Sequence, residues 1–484
     1  MTAASKHTNL KSQVLTSLKW VVAGKIATQT LRWVMTFWVI RLLSPEDYGL
    51  VAMADVLSGF FVLILGSLFS SSLIQHQALN TNILKQMFGA IIVVHLSIFS
   101  LQYLLAGPVS HYYQSPEVAA ILKVNAWCVL IMAFEIIPAA LLAKEMDFKR
   151  VSIIEGIANA AAAVTTLILA YLGYGFWALI YGQVLFYLLK ASMVMAIRPI
   201  TYWPSFSYSE ISGMLKFGGG LSLLTIMFYI FSHIDIVIAG RVMTPVEVGL
   251  YAICLQIAMM PQKKIMPILR QVAFPAFAKI QDQPKMIASY VIKSQKLCLL
   301  ITLPIFWGLA ATVEQLIPLV LGEKWLDAVT PATLILLVMP LRFSEELFNP
   351  ALKSLKKVRH MLINATILLT VLVPSIYVGS HHGAHGLAMA WLCAFPVAYL
   401  IVVLHNSRGI NIPLLDLFKH IAVPAFAGAL MMLSIYYSKP LLADFSAIVI
   451  LLFSILIGAS VYLTGLLIID RKVFQEAKQL LKRA

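Results

Sequence analysis

The feature that most constrains this chain is a succession of apolar runs, each roughly 20 residues long and separated from the next by a short polar turn. A run of that length spans the hydrocarbon of a bilayer as a helix, because a backbone in lipid has to satisfy its own N–H and C=O groups. The runs lie near 17–42, 48–74, 83–107, 117–142, 150–172 and 176–197, then near 217–240, 246–272, 288–312, 328–351, 359–379 and 385–405. Two more follow near 418–438 and 446–468, so the reading is an all-α integral membrane protein of about fourteen transmembrane helices. Composition agrees: 12% of residues are charged, against about 25% in a soluble domain.

The net charge of +15 would suit a nucleic-acid partner only if the basic residues shared one patch of a soluble fold. Here they sit in loops, where they set topology. One side of the apolar runs collects Lys6, Lys11, Lys144, Lys149, Arg150, Lys263, Lys264, Lys356, Lys357 and Arg408, together with the tail residues Arg471 and Lys472. The other side holds only Arg41, Lys123, Arg241, Lys324 and Lys439. The bias predicts cytoplasmic N- and C-termini and a bacterial inner-membrane location, with no nucleic acid as partner. The polar N-terminus meets the first run without a small-residue cleavage site, so removal of a signal peptide is not expected. Cys128, Cys254, Cys298 and Cys393 each stand alone in an apolar run and predict packed, reduced thiols. His381, His382 and His385 share a Gly-rich turn without a Cys or carboxylate beside them, so neither a metal nor another cofactor is expected.

The chain also repeats itself. Arg41-Leu42-Leu43-Ser44-Pro45-Glu46-Asp47-Tyr48-Gly49-Leu50 closes the first run and opens the second; Arg241-Val242-Met243-Thr244-Pro245-Val246-Glu247-Val248-Gly249-Leu250 does the same for the seventh and eighth. Pro138-Ala139 and Pro350-Ala351, late in runs four and ten, are a weaker match. Six helices per repeat is an even number, so both halves insert the same way up, as in transporters whose site lies between parallel repeats. The expected domains are 1–199 and 200–410, each a six-helix bundle, and 411–484, two added helices with a cytoplasmic tail.

The Arg41–Leu50 turn resembles that of the Wzx-type polysaccharide flippases. So do Phe274-Pro275-Ala276-Phe277-Ala278-Lys279-Ile280-Gln281-Asp282 and Pro318-Leu319-Val320-Leu321-Gly322-Glu323-Lys324-Trp325. The similarity is greatest to the branch handling colanic acid and related exopolysaccharides, within the multidrug/oligosaccharidyl-lipid/polysaccharide (MOP) exporter superfamily. The resemblance implies a V-shaped, MATE-like pair of pseudosymmetric six-helix bundles alternating between inward-open and outward-open states. It also implies a cargo, an undecaprenyl-pyrophosphate-linked oligosaccharide moved from the cytoplasmic to the periplasmic leaflet. Membrane lipids, a coupling ion (H⁺ or Na⁺), a polysaccharide polymerase and a chain-length regulator are the partners it suggests.

Charges at mid-bilayer cost roughly 2.5–3.5 kcal/mol each on insertion scales, so each one marks a candidate site. Lys25, Gln29 and Arg32 share one face of the first helix and could meet the pyrophosphate, Arg32 by a bidentate grip. Glu155 and Asn159, one turn apart, form a second polar stripe, read either as cavity lining or as helix–helix hydrogen bonding. Glu135, His233, Asp235, Arg342, Glu345 and Glu346 are the ion-coupling candidates, with an ion pair inside the Arg342–Glu346 turn as the plainer alternative. Lys190 lies near the cytoplasmic end of its run and reads as snorkelling to the interface. Two other functions compete with this reading. A cation-coupled small-molecule exporter of the MATE kind would make buried carboxylates its dominant site. A membrane-embedded glycosyltransferase or polymerase would show a large outer loop carrying catalytic groups, and the longest outward connection, Thr312 to Ala328, has no such set. A transporter, not an enzyme, is the reading that remains.

Overall fold

The computed structural model describes residues 33–76, 79–280 and 282–469. Among them every regular element is a helix. In chain order these are α1 (Trp33–Leu42), α2 (Pro45–Gln75), α3 (Thr81–Tyr113), α4 (Pro116–Ala133), α5 (Ile136–Lys144), α6 (Phe148–Tyr171), α7 (Trp177–Ile197) and α8 (Ser212–Val242). Then come α9 (Pro245–Lys279), α10 (Pro284–Val320), α11 (Val329–Glu346), α12 (Phe348–Ser354), α13 (Val358–Ser380), α14 (Gly383–Ile410), α15 (Leu414–Ser438) and α16 (Ala447–Ile469). Among the described residues, 11 segments are long and apolar enough to cross a membrane. Helices α1, α8 and α9 occupy the remaining three of the expected positions.

The helices are dressed for lipid. Leu104, Ile153, Ile157, Ile168, Val397, Leu400, Ile455 and Leu456 point outward and exposed, a surface too apolar for water. Several hydroxyls bond inside their own helix: Ser97, Thr302, Thr366, Ser375 and Thr464 each donate to the carbonyl four residues back. That bond satisfies a polar group where no water could.

The sequence reading of runs four and ten as single helices is corrected by the structure. Each is two helices, α4 then α5 and α11 then α12. The cause is proline four residues beyond an orphaned carbonyl: Pro138 has no N–H for Phe134, and Pro350 none for Glu346. The chain tightens at both breaks to i→i−3 bonding, Glu135 N–H to the Met132 carbonyl at 3.0 Å and Leu347 N–H to the Ser344 carbonyl at 3.3 Å. Both short helices then end in a left-handed residue, Met146 (φ 57°) and Lys356 (φ 56°). The residues that follow are alike too, Asp147 at φ −80°, ψ 56° and Lys357 at φ −87°, ψ 55°. The weak Pro-Ala match in the sequence thus marks a shared backbone course.

The described residues fall in two compact units, one drawn from Met1–Ser44 and Ala54–Tyr229 and the other from Pro45–Met53 and Ile230–Ala484. In the first, Leu65 and Phe69 of α2, Met87 and Ile91 of α3, Val129 of α4 and Ile137 of α5 form one buried cluster with Met214 of α8. In the second, α15 and α16 lie against α10: Ala427, Met431, Ile435, Tyr462 and Leu466 pack on Leu300 and Trp307. The Tyr462 hydroxyl donates to the Leu300 carbonyl at 2.9 Å.

The repeated turns meet within the second unit. A Cβ built on Gly49 would lie 1.8 Å from the Pro245 carbonyl oxygen, and one on Gly249 would lie 1.7 Å from that of Pro45. The contact is reciprocal and leaves no room for any side chain, which is the physical reason for glycine at both positions. Thr244 caps α9 with a capping box, its hydroxyl and its N–H both meeting Glu247 Oε2 at 2.9 Å. Tyr48, beside Gly49, sets its ring edge-on to Trp325 at 5.7 Å.

Candidate functional site

Lys25, Gln29 and Arg32 lie outside the described residues. The other candidates fall into one cluster in each unit. In the first unit, Glu135 sits at the α4–α5 break, Glu155 on α6 and Lys190 on α7. The Lys190 ammonium lies 2.8 Å from Glu135 Oε1 and 3.4 Å from Glu155 Oε1. Glu135 stands at the i→i−3 turn of the break, and the residue is only 8% exposed. The ammonium also lies 5.8 Å from the Phe186 ring centroid, one turn back on α7, a further cation contact. Lys190 is thus held between two carboxylates. Asn159 spends its amide on the Glu155 backbone carbonyl, 2.6 Å away, so the polar stripe on α6 is bonded within its own helix at that position.

In the second unit four helices converge. Asp235 of α8 is buried; its Oδ1 accepts from the Ile236 N–H at 2.8 Å and its Oδ2 from the Tyr251 hydroxyl of α9 at 2.7 Å. That hydroxyl accepts in turn from the Trp391 indole N–H of α14, also at 2.7 Å. The guanidinium of Arg342, on α11, lies 4.4 Å from the centroid of the same indole. The result is a continuous chain, carboxylate, phenol, indole and cation, in which the Asp235 oxygens, the Tyr251 hydroxyl and the Trp391 N–H each have a hydrogen-bond partner. Arg342 is thus brought to an aromatic face. One turn further along α11, Glu346 accepts from the Gln262 amide of α9. Ser344, Gln295 and Tyr399 complete a neighbouring network, with the Gln295 amide donating to the Ser344 carbonyl at 2.7 Å. His233 and Glu345 are partly buried on α8 and α11.

Each repeat thereby places a carboxylate at the break of its fourth membrane segment, Glu135 in one and Glu346 in the other. Sequence reading singled out Asp235 and Arg342 separately. It missed Tyr251 and Trp391, because a phenol and an indole in apolar runs look like ordinary packing or interfacial residues. Their one signal was position, since Tyr251 directly follows the repeated turn.

A family described as polysaccharide biosynthesis protein matches residues 38–330 of the chain. The lipopolysaccharide biosynthesis protein WzxC of Escherichia coli (strain K12) is 28% identical over 352 residues, covering 69% of this chain and 68% of that one. The succinoglycan biosynthesis transport protein ExoT of Rhizobium meliloti (strain 1021) is 24% identical over 392 residues, 80% of this chain and 78% of that one. Among solved structures, the lipid II flippase MurJ in an inward closed conformation superposes with a TM-score of 0.73 at 17% identity, covering 94% of this chain and all of that one. At that identity the likeness speaks for the fold.

Proposed function

Because the chain belongs to the polysaccharide biosynthesis protein family, we propose that it is a flippase. In this reading it carries an undecaprenyl-pyrophosphate-linked oligosaccharide, the precursor of an exopolysaccharide, capsule or lipopolysaccharide, from the cytoplasmic to the periplasmic leaflet of the bacterial inner membrane by alternating access. The single observation that carries the reading is the family match, which runs through both copies of the repeated turn. It falls on a multi-pass membrane protein, and the charges that protein keeps among its apolar helices call for a transport role.

The finer assignments support one another. The loop charge bias favours cytoplasmic termini. Lys25, Gln29 and Arg32 are proposed to face the pyrophosphate, with Glu155 and Asn159 as further substrate-binding candidates. Glu135, His233, Asp235, Arg342, Glu345 and Glu346 are proposed as the ion-coupling residues, the carboxylates holding the ion; the Asp235 carboxylate is the buried anion of a four-helix network. The polymerase and chain-length regulator of the same pathway are the proposed protein partners.

The experiment is made in cells lacking the gene. Wild-type protein should restore lipid-linked oligosaccharide to a periplasm-accessible form, read by a glycosidase added to spheroplasts, and Arg32→Ala should leave the lipid-linked unit on the inner face. Unchanged periplasmic accessibility with and without the protein would reject the flippase reading.

A further inference from the structure

We infer that the Glu135–Lys190–Glu155 cluster is a proton-binding site, which takes up one proton from water on the free oxygen of Glu135. The observations are geometric. Two carboxylates and one ammonium meet among membrane helices, so the fully ionised cluster carries one negative charge in excess. A buried net charge is costly unless it is neutralised. Glu135 Oε1 is engaged by Lys190, while Glu135 Oε2 is buried with no hydrogen-bond partner. An ionised carboxylate oxygen in that position is unsatisfied; a protonated one is neutral, and an O–H is far cheaper to bury than an O⁻.

The step balances simply. A proton leaves hydronium, an O–H bond forms at Glu135 Oε2, and the cluster is left as a neutral acid beside the Lys190–Glu155 ion pair. Glu155, with its side chain 49% exposed, is the accessible end of the cluster and Glu135 the buried end. Lys190 stands between them, so protonation of one carboxylate hands the ammonium to the other.

Among the described residues, Lys190 is the cation that acts on Glu135. Glu135 is acted on by Lys190 of α7 and Glu155 of α6. Tyr187 of α7 is the further titratable group facing it, and Tyr187 is in turn within electrostatic reach of Cys128 on α4 and Asp55 on α2. On α3, which packs against α4, His95 is occupied by the Ile91 carbonyl at 2.8 Å and stacks on Phe69. The helix break adds a conformational consequence. Glu135 is the residue at which the α4–α5 hydrogen-bond ladder is interrupted, so a change in its tie to α7 acts where the chain bends most easily. The site belongs to the first unit and the Asp235 network to the second, and the proposal rests on the flippase reading only for the purpose of the proton.

Infrared difference spectroscopy on the purified full-length protein in lipid nanodiscs, titrated between about pH 5 and 9 without substrate, tests this directly. Wild type should show, on acidification, a protonated carboxylic C=O band that Glu135→Gln lacks. Lys190→Gln removes the cation that favours the ionised carboxylate and should move the band's appearance upward by about 1–3 pH units. Glu155→Gln leaves a neutral Lys190–Glu135 pair and should move it downward. Superimposable difference spectra for wild type and Glu135→Gln overturn the proposal. So does a Lys190→Gln titration that coincides with wild type, which covers the case of a Glu135 variant that fails to fold. Because no lipid-linked oligosaccharide is present, a proton band without flipping refutes the transport reading alone, and flipping without the band refutes this site alone.

Discussion

Replacing Gly49 by alanine is the perturbation whose cost the structure sets most tightly. The new methyl would lie 1.8 Å from the Pro245 carbonyl oxygen and 2.7 Å from its carbon. An ordinary C···O approach is about 3.3 Å, so the first turns of α2 and α9 must separate by about 1.5 Å. The obstacle is backbone and cannot rotate away, which puts the cost at the upper end for overpacking, about 3 kcal/mol. Alanine regains about 1 kcal/mol over glycine within a helix. The net loss of about 2 kcal/mol corresponds to a roughly 30-fold rise in the population in which this contact is open. Hydrogen–deuterium exchange in detergent micelles reads that population as faster exchange in peptides covering 45–53 and 245–253. Gly66→Ala, on the same helix with nothing within 4 Å of its added methyl, should leave those peptides unchanged. Gly249→Ala should match Gly49→Ala, and the double variant should fall well short of the sum, because either methyl opens the same contact. Exchange in Gly49→Ala within about twofold of wild type would refute the reciprocal packing, since twofold is only about 0.4 kcal/mol.

Two further outcomes follow from the hydrogen bonds of the second unit. Trp391→Phe keeps an aromatic face for Arg342 but removes the N–H donated to Tyr251. Thermal unfolding should report a loss of about 0.5–1.5 kcal/mol, and an unchanged Tm would show that the Asp235 chain is not coupled to α14. Tyr462→Phe should cost a similar amount by removing the bond from α16 to the Leu300 carbonyl of α10. Its loss should appear as faster hydrogen exchange in α16, and protection equal to wild type would count against that anchor.

The helices were legible because a bilayer demands one thing repeatedly, a run of about 20 apolar residues, and the chain supplies it at every position where a membrane-length helix stands. The repeat was legible where local backbone geometry dictates residue type: Gly49 and Gly249 are forced by a carbonyl pressed against each Cα, and Pro45 and Pro245 both open a helix. The two breaks were less so. Pro138 was visible, but whether a proline merely bends a helix or divides it depends on how the freed carbonyl is satisfied, and at Phe134–Glu135 the chain answers with i→i−3 bonds. The clusters escaped for a different reason. Lys190, Glu135 and Glu155 come from separate elements, and Asp235, Tyr251, Arg342 and Trp391 from four helices, so no spacing within one helix could pair them. The pairing of Lys190 was hidden because nearness to a membrane surface says nothing of the two carboxylates that packing delivers to it.

The central claim is that this protein moves a lipid-linked oligosaccharide between leaflets. The direct measurement is made in proteoliposomes holding the purified chain and a fluorescent undecaprenyl-pyrophosphate oligosaccharide, with a membrane-impermeant quencher outside. Label inserted in one leaflet should equilibrate with the other faster than in protein-free vesicles, without ATP, and removing the pyrophosphate should abolish the effect. Equal rates with and without protein, or equal acceleration for a lipid lacking both sugar and pyrophosphate, would contradict it.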